Sequence, residues 1–170
     1  RNEFYEEARR SNEVKSPYVV SVIRIGRPPE FEHPCLVMEY VDGTSLREVI
    51  GEQTSEQRWV SCRRWAAVIQ HVAEGLHALH EKGLLHRDIK AANILLDQQT
   101  GWPKLTDFGL ALNIDRREAS FLKHRAGTLP YMGPESFVSG GVGRRNVSDR
   151  RSDIYSLGIV LYECLVGERP

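Results

Sequence analysis

This sequence of 170 residues is poor in cysteine, in long apolar runs and in net charge. Its three cysteines, Cys35, Cys62 and Cys164, stand far apart and form no CxxC pair. That gives no disulfide framework, and it favours a reducing compartment. No apolar stretch approaches the roughly 18 residues a membrane-crossing helix needs. No signal-like apolar region follows Arg1, so the expected location is the cytoplasm, with any anchor of a longer parent left open. Lys plus Arg and Asp plus Glu both number 23, giving a formal net charge of zero. A balanced charge gives no footprint for nucleic acid or an anionic surface. There are no internal repeats. The hydrophobic content of 41% is enough for one ordinary core or part of one. The two ends, Arg1 and the turn-like "GERP", read as cuts within a longer chain.

The pattern of what is present predicts mixed structure. "EFYEEARRSNEVKS" reads as a charged helix ending before Pro17. "YVVSVIRIG" and "PCLVMEYV" read as strands, and "DGTSLREVI" as a turn with a Ser/Thr cap followed by a short helix. In "CRRWAAVIQHVAEGLHALHEKG", Trp65, Val68, Ile69, Val72, Leu76 and Leu79 recur at helical steps, and Gly83 suits the C-terminal cap. "NILLD" and "PKLTD" read as short strands around the turn "QQTGW". The stretch from Phe108 to about Arg151 reads as a loop. "SDIYSLGIVLYECLVG" is apolar on every face, which predicts a helix buried all round, capped by Ser152. Helical mass with small sheets implies an α+β fold.

The chemistry concentrates in "HRDIKAANILLD", residues 86–97. Packing does not ask for His, Arg, Asp and Lys within five positions before a buried strand. Asp88 lies five residues before Asn93 and nineteen before Asp107. Asn93 and Asp107 are oxygen donors suited to a hard cation such as Mg²⁺, which keeps waters and is shared with substrate phosphates. Lys90 can place a mobile positive charge on the same phosphate. Asp88, left off the metal, can accept a proton from an attacking hydroxyl. Metal, cation, base and positioning are the parts phosphoryl transfer needs.

With those residues, the sequence resembles the eukaryotic-type (Hanks-type) serine/threonine protein kinase family, whose motif set and mechanics are well defined. "HRDIKAAN" resembles its catalytic loop, "DFG" its metal-binding loop, "GTLPYMGPE" the end of its activation segment, "SDIYSLG" the start of the central helix of its large lobe, and "LVMEYVDG" its inter-lobe hinge. The resemblance implies a truncated two-lobe fold, with 1–41 as part of the small lobe and hinge and 42–170 as part of the large lobe. It implies ATP and Mg²⁺ as cofactors and Ser/Thr hydroxyls of proteins as acceptors. Under it, Asp88 is the catalytic base, Lys90 touches the transferring phosphate, and Thr128 steadies both. Asn93 and Asp107 hold the metal. Glu7 pairs with the nucleotide-binding lysine, Met38 is the gatekeeper, the backbones of Glu39 and Val41 bind adenine, and Leu95 lies beneath the ring. Arg87 and Ser120 are the regulatory pair, Ser120 being the one Ser or Thr between Gly109 and Gly127. His86, Phe108, Gly109, Glu135 and Asp153 are structural, and Asp153 holds the catalytic loop from below. Lys90 together with "GT" at 127–128 is the serine/threonine pattern.

The departures from the family are specific. Ala91 stands where the family usually has Pro, "GPE" replaces "APE", and Ser11 falls where an apolar residue normally stacks on the "DFG" Phe. Eighteen residues separate Glu135 from Asp153, so "SGGVGRR" reads as a surface insertion. No glycine-rich loop and no "VAIK"-type lysine precede Glu7. The expectation is that these residues alone are inactive. The alternative of another class is a pseudokinase acting as a binding module. Among the other polar residues, His71, His77 and His80 read as packed or solvated on one helix, not as a metal site.

Overall fold

The structure, a computed structural model, describes residues 10–26, 28, 35–56, 60–107, 128–136 and 149–170. Glu7, Phe108, Gly109 and Ser120 lie outside the described residues. Residues 10–12 are helical and residue 13 is a turn, so the described end of the first helix stops earlier than Ser16.

Two antiparallel strands follow, β1 (Val22–Gly26) and β2 (Cys35–Met38), paired with Val22 opposite Met38 and Gly26 opposite Cys35. β1 is shorter than the predicted strand. Residues 18–20 pair instead with a different sheet, where Val20 N–H donates to the Leu105 carbonyl and Leu105 N–H to the Tyr18 carbonyl. That second sheet has the order β3 (Gly43–Ser45), β4 (Ile94–Asp97), β5 (Pro103–Leu105), all antiparallel. β3 was expected as a turn. Its three residues pair with Asp97, Leu96 and Leu95, a long-range partnership that local turn chemistry does not reveal.

Helix α1 (Leu46–Ser55) starts where the cap candidate predicted. Ser45 Oγ accepts from Glu48 N–H at 3.3 Å, and the Glu48 carboxylate accepts from Ser45 N–H at 2.9 Å, a reciprocal capping box. It runs five residues past Ile50 because Gln53 is buried and bonded on both ends of its amide. The Gln53 Oε1 accepts from Val60 N–H and Trp65 Nε1–H, and its Nε2 donates to the Cys164 carbonyl. Helix α2 (Cys62–Glu81) buries Trp65, Val68, Val72, Leu76 and Leu79. Gly83, at φ 69°, takes the left-handed turn that ends it.

Helix α3 (Arg150–Val166) begins two residues before the predicted cap, because Asp149 and not Ser152 accepts the first-turn N–H, that of Arg151. It is buried on one side only. Leu157, Val160 and Cys164 face the core, whereas Ile154, Tyr155, Tyr162 and Leu165 are exposed. Burial all round needs neighbours on every face, and among the described residues α2 and the turn Leu129–Tyr131 supply them on one. Core burial forces the Cys164 thiol pKa up to about 12, with the neighbouring Glu163 charge adding to it, so this thiol stays protonated.

Helix α2 approaches the backbone of residue 18 closely. A Cβ at Gly75 would sit 2.9 Å from the Tyr18 carbonyl oxygen and 3.2 Å from the Leu105 side chain. Helix propensity alone makes Gly→Ala worth about 1 kcal/mol of stabilisation. Here overpacking against backbone, about 1–3 kcal/mol, opposes it. Gly75→Ala in the full chain should therefore lower the urea midpoint; a raised midpoint would show that the Tyr18 segment yields at no cost.

Candidate active site

Four of the predicted residues meet on one carboxylate. Asp88 Oδ1 accepts from Thr128 Oγ1 at 2.8 Å, and Oδ2 accepts from Lys90 Nζ and from Asn93 Nδ2, each at 2.8 Å. Lys90 Nζ also donates to Thr128 Oγ1 at 3.3 Å. A carboxylate offers about four lone-pair sites, so three donors leave roughly one for an incoming hydroxyl. An ammonium carries three protons, and two of those on Lys90 are used.

The Asn93 amide is oriented by its partners. Nδ2 donates both to the Asp88 carboxylate and to the Asp88 carbonyl, at 2.8 Å each. Both partners are acceptors, so the amide must present nitrogen to Asp88. Its Oδ1 is left for another ligand. Asn93 is placed by the 3₁₀ turn Ala91–Asn93 and is buried. Ala91, the residue found in place of the family's Pro, is fully buried in that turn. Asp107, two residues past the end of β5, is exposed and has φ 60°. A non-glycine residue there is uncommon and carries strain typical of functional sites. Thr106 before it is held from two sides, its N–H donating to the Asn93 carbonyl and its carbonyl bonded by His86 Nε2 at 3.1 Å.

One amide oxygen and one carboxylate, both hard donors, fit a Mg²⁺ ion that retains waters. No cluster of three or more His, Cys, Asp or Glu able to hold a metal exists among the described residues.

Beneath the loop lies Asp153 on α3, which is 1% exposed. Its Oδ1 accepts from Arg87 N–H at 2.8 Å, and its Oδ2 accepts from His86 N–H at 3.0 Å and contacts His80 Nε2 at 2.8 Å. Arg87 has φ 62°, a strained backbone that this carboxylate holds in place. Arg87 Nε is buried with no hydrogen-bond partner among the described residues. His86 is buried, and desolvation pushes its pKa below the ordinary value against the pull of nearby carboxylates. Its Nδ1 accepts from Asp88 N–H at 3.3 Å, so the proton resides on Nε2, where it can reach the Thr106 carbonyl.

His80 was expected only to be packed or solvated. A lone polar residue at the buried face of α2, one turn after Leu76, is the signal that it needs a partner. The sequence reading also missed Tyr131. Its hydroxyl donates to buried Glu163 at 2.5 Å, and its carbonyl accepts from Ser156 Oγ at 2.7 Å, which ties the Thr128 turn to α3. Burial and the Glu163 carboxylate both raise the Tyr131 phenol pKa. Glu135 accepts from Ser152 Oγ at 2.7 Å.

On the other side of β4, the hinge residues Met38, Glu39 and Val41 are partly buried. Glu39 N–H donates to the Ser21 carbonyl at 2.9 Å. The Glu39 carbonyl and the Val41 N–H take part in no hydrogen bond among the described residues. Leu95 alternates out of the core while Ile94 and Leu96 point into it.

The protein kinase domain family model matches residues 1–170, and the chain belongs to that family. It is 35% identical to the serine/threonine-protein kinase PknB of Mycolicibacterium smegmatis over 98% of this chain and 26% of the relative. It is 36% identical to PknB of Mycobacterium tuberculosis, with the same coverage, and 35% identical to the serine/threonine-protein kinase pkn2 of Myxococcus xanthus, over 98% of this chain and 19% of the relative. The chain thus spans about a quarter or less of the curated relatives it matches. The crystal structure of the Mycobacterium tuberculosis PknI kinase domain superposes with a TM-score of 0.73 at 25% identity, covering 99% of this chain and 58% of that one. The fold is that of a protein kinase domain, α+β in content, of which this chain forms part.

Asp153 gives the sharpest test of the local geometry. Asp153→Asn replaces one acceptor with a donor facing N–H groups, so at least one buried donor loses its partner. Hydrogen bonds to charged groups are worth about 1.5–3 kcal/mol each, so the unfolding free energy should fall by about 2–4 kcal/mol. Chemical denaturation that finds a loss below about 1 kcal/mol would mean that the loop does not rest on this carboxylate.

Proposed function

We propose that the protein to which this chain belongs transfers the γ-phosphoryl group of ATP to Ser or Thr hydroxyls of proteins. The observation that carries this is the Asp88 carboxylate, braced by Lys90, Asn93 and Thr128 with about one lone-pair site to spare. Support comes also from the relatives' naming as serine/threonine-protein kinases. Residues 1–41 serve as part of the small lobe and hinge, and 42–170 as part of the large lobe.

In this reading the acceptor hydroxyl lies against Asp88, which orients it and takes its proton as the bond to phosphorus forms. Lys90 keeps one donor for the transferring phosphate. Thr128 holds Asp88 and Lys90 at fixed separation, a preorganisation that leaves little to rearrange during reaction. The Asn93 Oδ1 and the Asp107 carboxylate would hold Mg²⁺, which when bound neutralises phosphate charge. The Glu39 carbonyl and the Val41 N–H receive adenine above Leu95, with Met38 at the back of the pocket. Glu7 is proposed to pair with a nucleotide-binding lysine.

In the full-length protein, Asp88→Asn should cut turnover at least about a hundredfold while ATP binding persists. Radiolabelled phosphate transfer near the wild-type rate would remove Asp88 from its role. A wild-type protein that binds ATP and transfers nothing would favour the pseudokinase reading. Residues 1–170 alone are expected to transfer no phosphate, since no glycine-rich loop or nucleotide-binding lysine precedes Glu7 in them.

Arg87 supports a regulatory reading. Its buried Nε has no partner among the described residues, and such a group is costly unless an anion completes it. A phosphate on Ser120 brings roughly −1.5 to −2 charges and strong acceptors. Phosphorylation of Ser120 would then order the segment against Arg87, with Lys123 and Arg125 assisting. Ser120→Ala should lose most activity; equal activity, with phosphate confirmed on the wild type, counts against this switch.

A further inference from the structure

Lys104 lies on β5, directly opposite Leu95 of β4. Opposed residues of an antiparallel pair share a face, so Lys104 stands beside Leu95 on the side turned away from the core. From there its Nζ reaches the Glu39 carboxylate in the hinge at 2.6 Å. The two side chains are 21% and 29% exposed, so this is neither a free surface pair nor a buried one. A partly exposed ion pair contributes too little to stability to explain the contact as a fold determinant.

Its position suggests another role. Glu39 N–H is already bound to the Ser21 carbonyl. Residues 18–20, just before Ser21, are paired with Leu105, the neighbour of Lys104. The hinge is therefore tied to β5 through backbone at one side and through Lys104 at the other. With its N–H and side chain both engaged, residue 39 has one polar group left, the carbonyl. β5 itself leads through Thr106 to Asp107.

We propose that Lys104 is a positioning residue for the nucleotide, fixing the hinge backbone at Glu39 over the Leu95 floor and in register with the strand that leads to Asp107. This rests on the reading that the Glu39 and Val41 backbones receive adenine. Without the ion pair, residue 39 keeps only its N–H bond and can rotate, so binding of adenine must first order it. The acceptor hydroxyl, Asp88 and Lys90 are elsewhere in the site, so the chemical step is untouched.

The test is steady-state phosphorylation by the full-length kinase carrying Lys104→Met, Lys104→Arg, Glu39→Gln or Leu95→Asp, with ATP varied. Lys104→Met and Glu39→Gln should each raise the KM for ATP about fivefold, the scale of one such pair, with kcat within about twofold of wild type. Lys104→Arg should restore KM, because a guanidinium keeps the pair. An unchanged KM in Lys104→Met, or a change in kcat alone, overturns the proposal. Leu95→Asp separates the two readings. If it raises KM steeply while Lys104→Met does not, adenine binds at the hinge and the positioning role fails. If neither moves KM, the adenine site itself is misassigned, and the proposal falls with it.

Discussion

The site hangs from one buried charge. Asp153 has two oxygens and three donors, two from the backbone of residues 86 and 87 and one from His80. A carboxylate removed from water is costly unless its lone pairs are filled, and here the filling groups are those of the catalytic loop and of α2. The same bonds hold Arg87 in a left-handed backbone conformation that its side chain disfavours. The turn it makes sends Asp88 toward Thr128 while His86 points back to Thr106. Helix α3 thus acts through a single side chain on both halves of the site.

The helix also reaches the site a second way. Tyr131 is tied to Glu163 through its hydroxyl and to Ser156 through its carbonyl, so the turn that follows Thr128 rests on the same helix as the catalytic loop. Thr128 and Asp88 are forty positions apart in sequence yet share a hydrogen bond because α3 supports both. Polar contacts of this kind, satisfied at both ends and out of water, define distances more narrowly than apolar packing does. Apolar packing sets the frame: Trp65, Leu76, Leu79, Ile89, Ile94 and Leu105 are nearly or fully buried around these contacts.

The side formed by β1, β2 and the hinge is built differently. The β1–β2 pair leaves Ile23 and Val37 exposed, and its link to the larger sheet runs through residues 18–21 and the hinge. Among the described residues its restraints are fewer and closer to solvent than those beneath Asp88. A segment held by a few half-exposed bonds can open at low cost.

The sequence by itself determined the identity of the parts. Histidine, arginine, aspartate and lysine crowded before an apolar run, an asparagine five residues later and an aspartate ahead of Phe–Gly specify a chemistry that packing does not demand. The periodicity of α2 and the presence of a Ser/Thr cap before α1 were legible because both are encoded within one or two turns of chain. Tertiary structure decided whatever depends on distant partners. β3 became a strand because Leu95, Leu96 and Asp97 offered it a ladder. Asp149 displaced Ser152 as the cap of α3, and that helix buried one face instead of all. The His80–Asp153, Tyr131–Glu163 and Lys104–Glu39 pairs were invisible because each joins residues more than thirty positions apart. Composition carries residue types, and local pattern carries helix and turn. Which buried polar group meets which is settled only when the chain closes on itself.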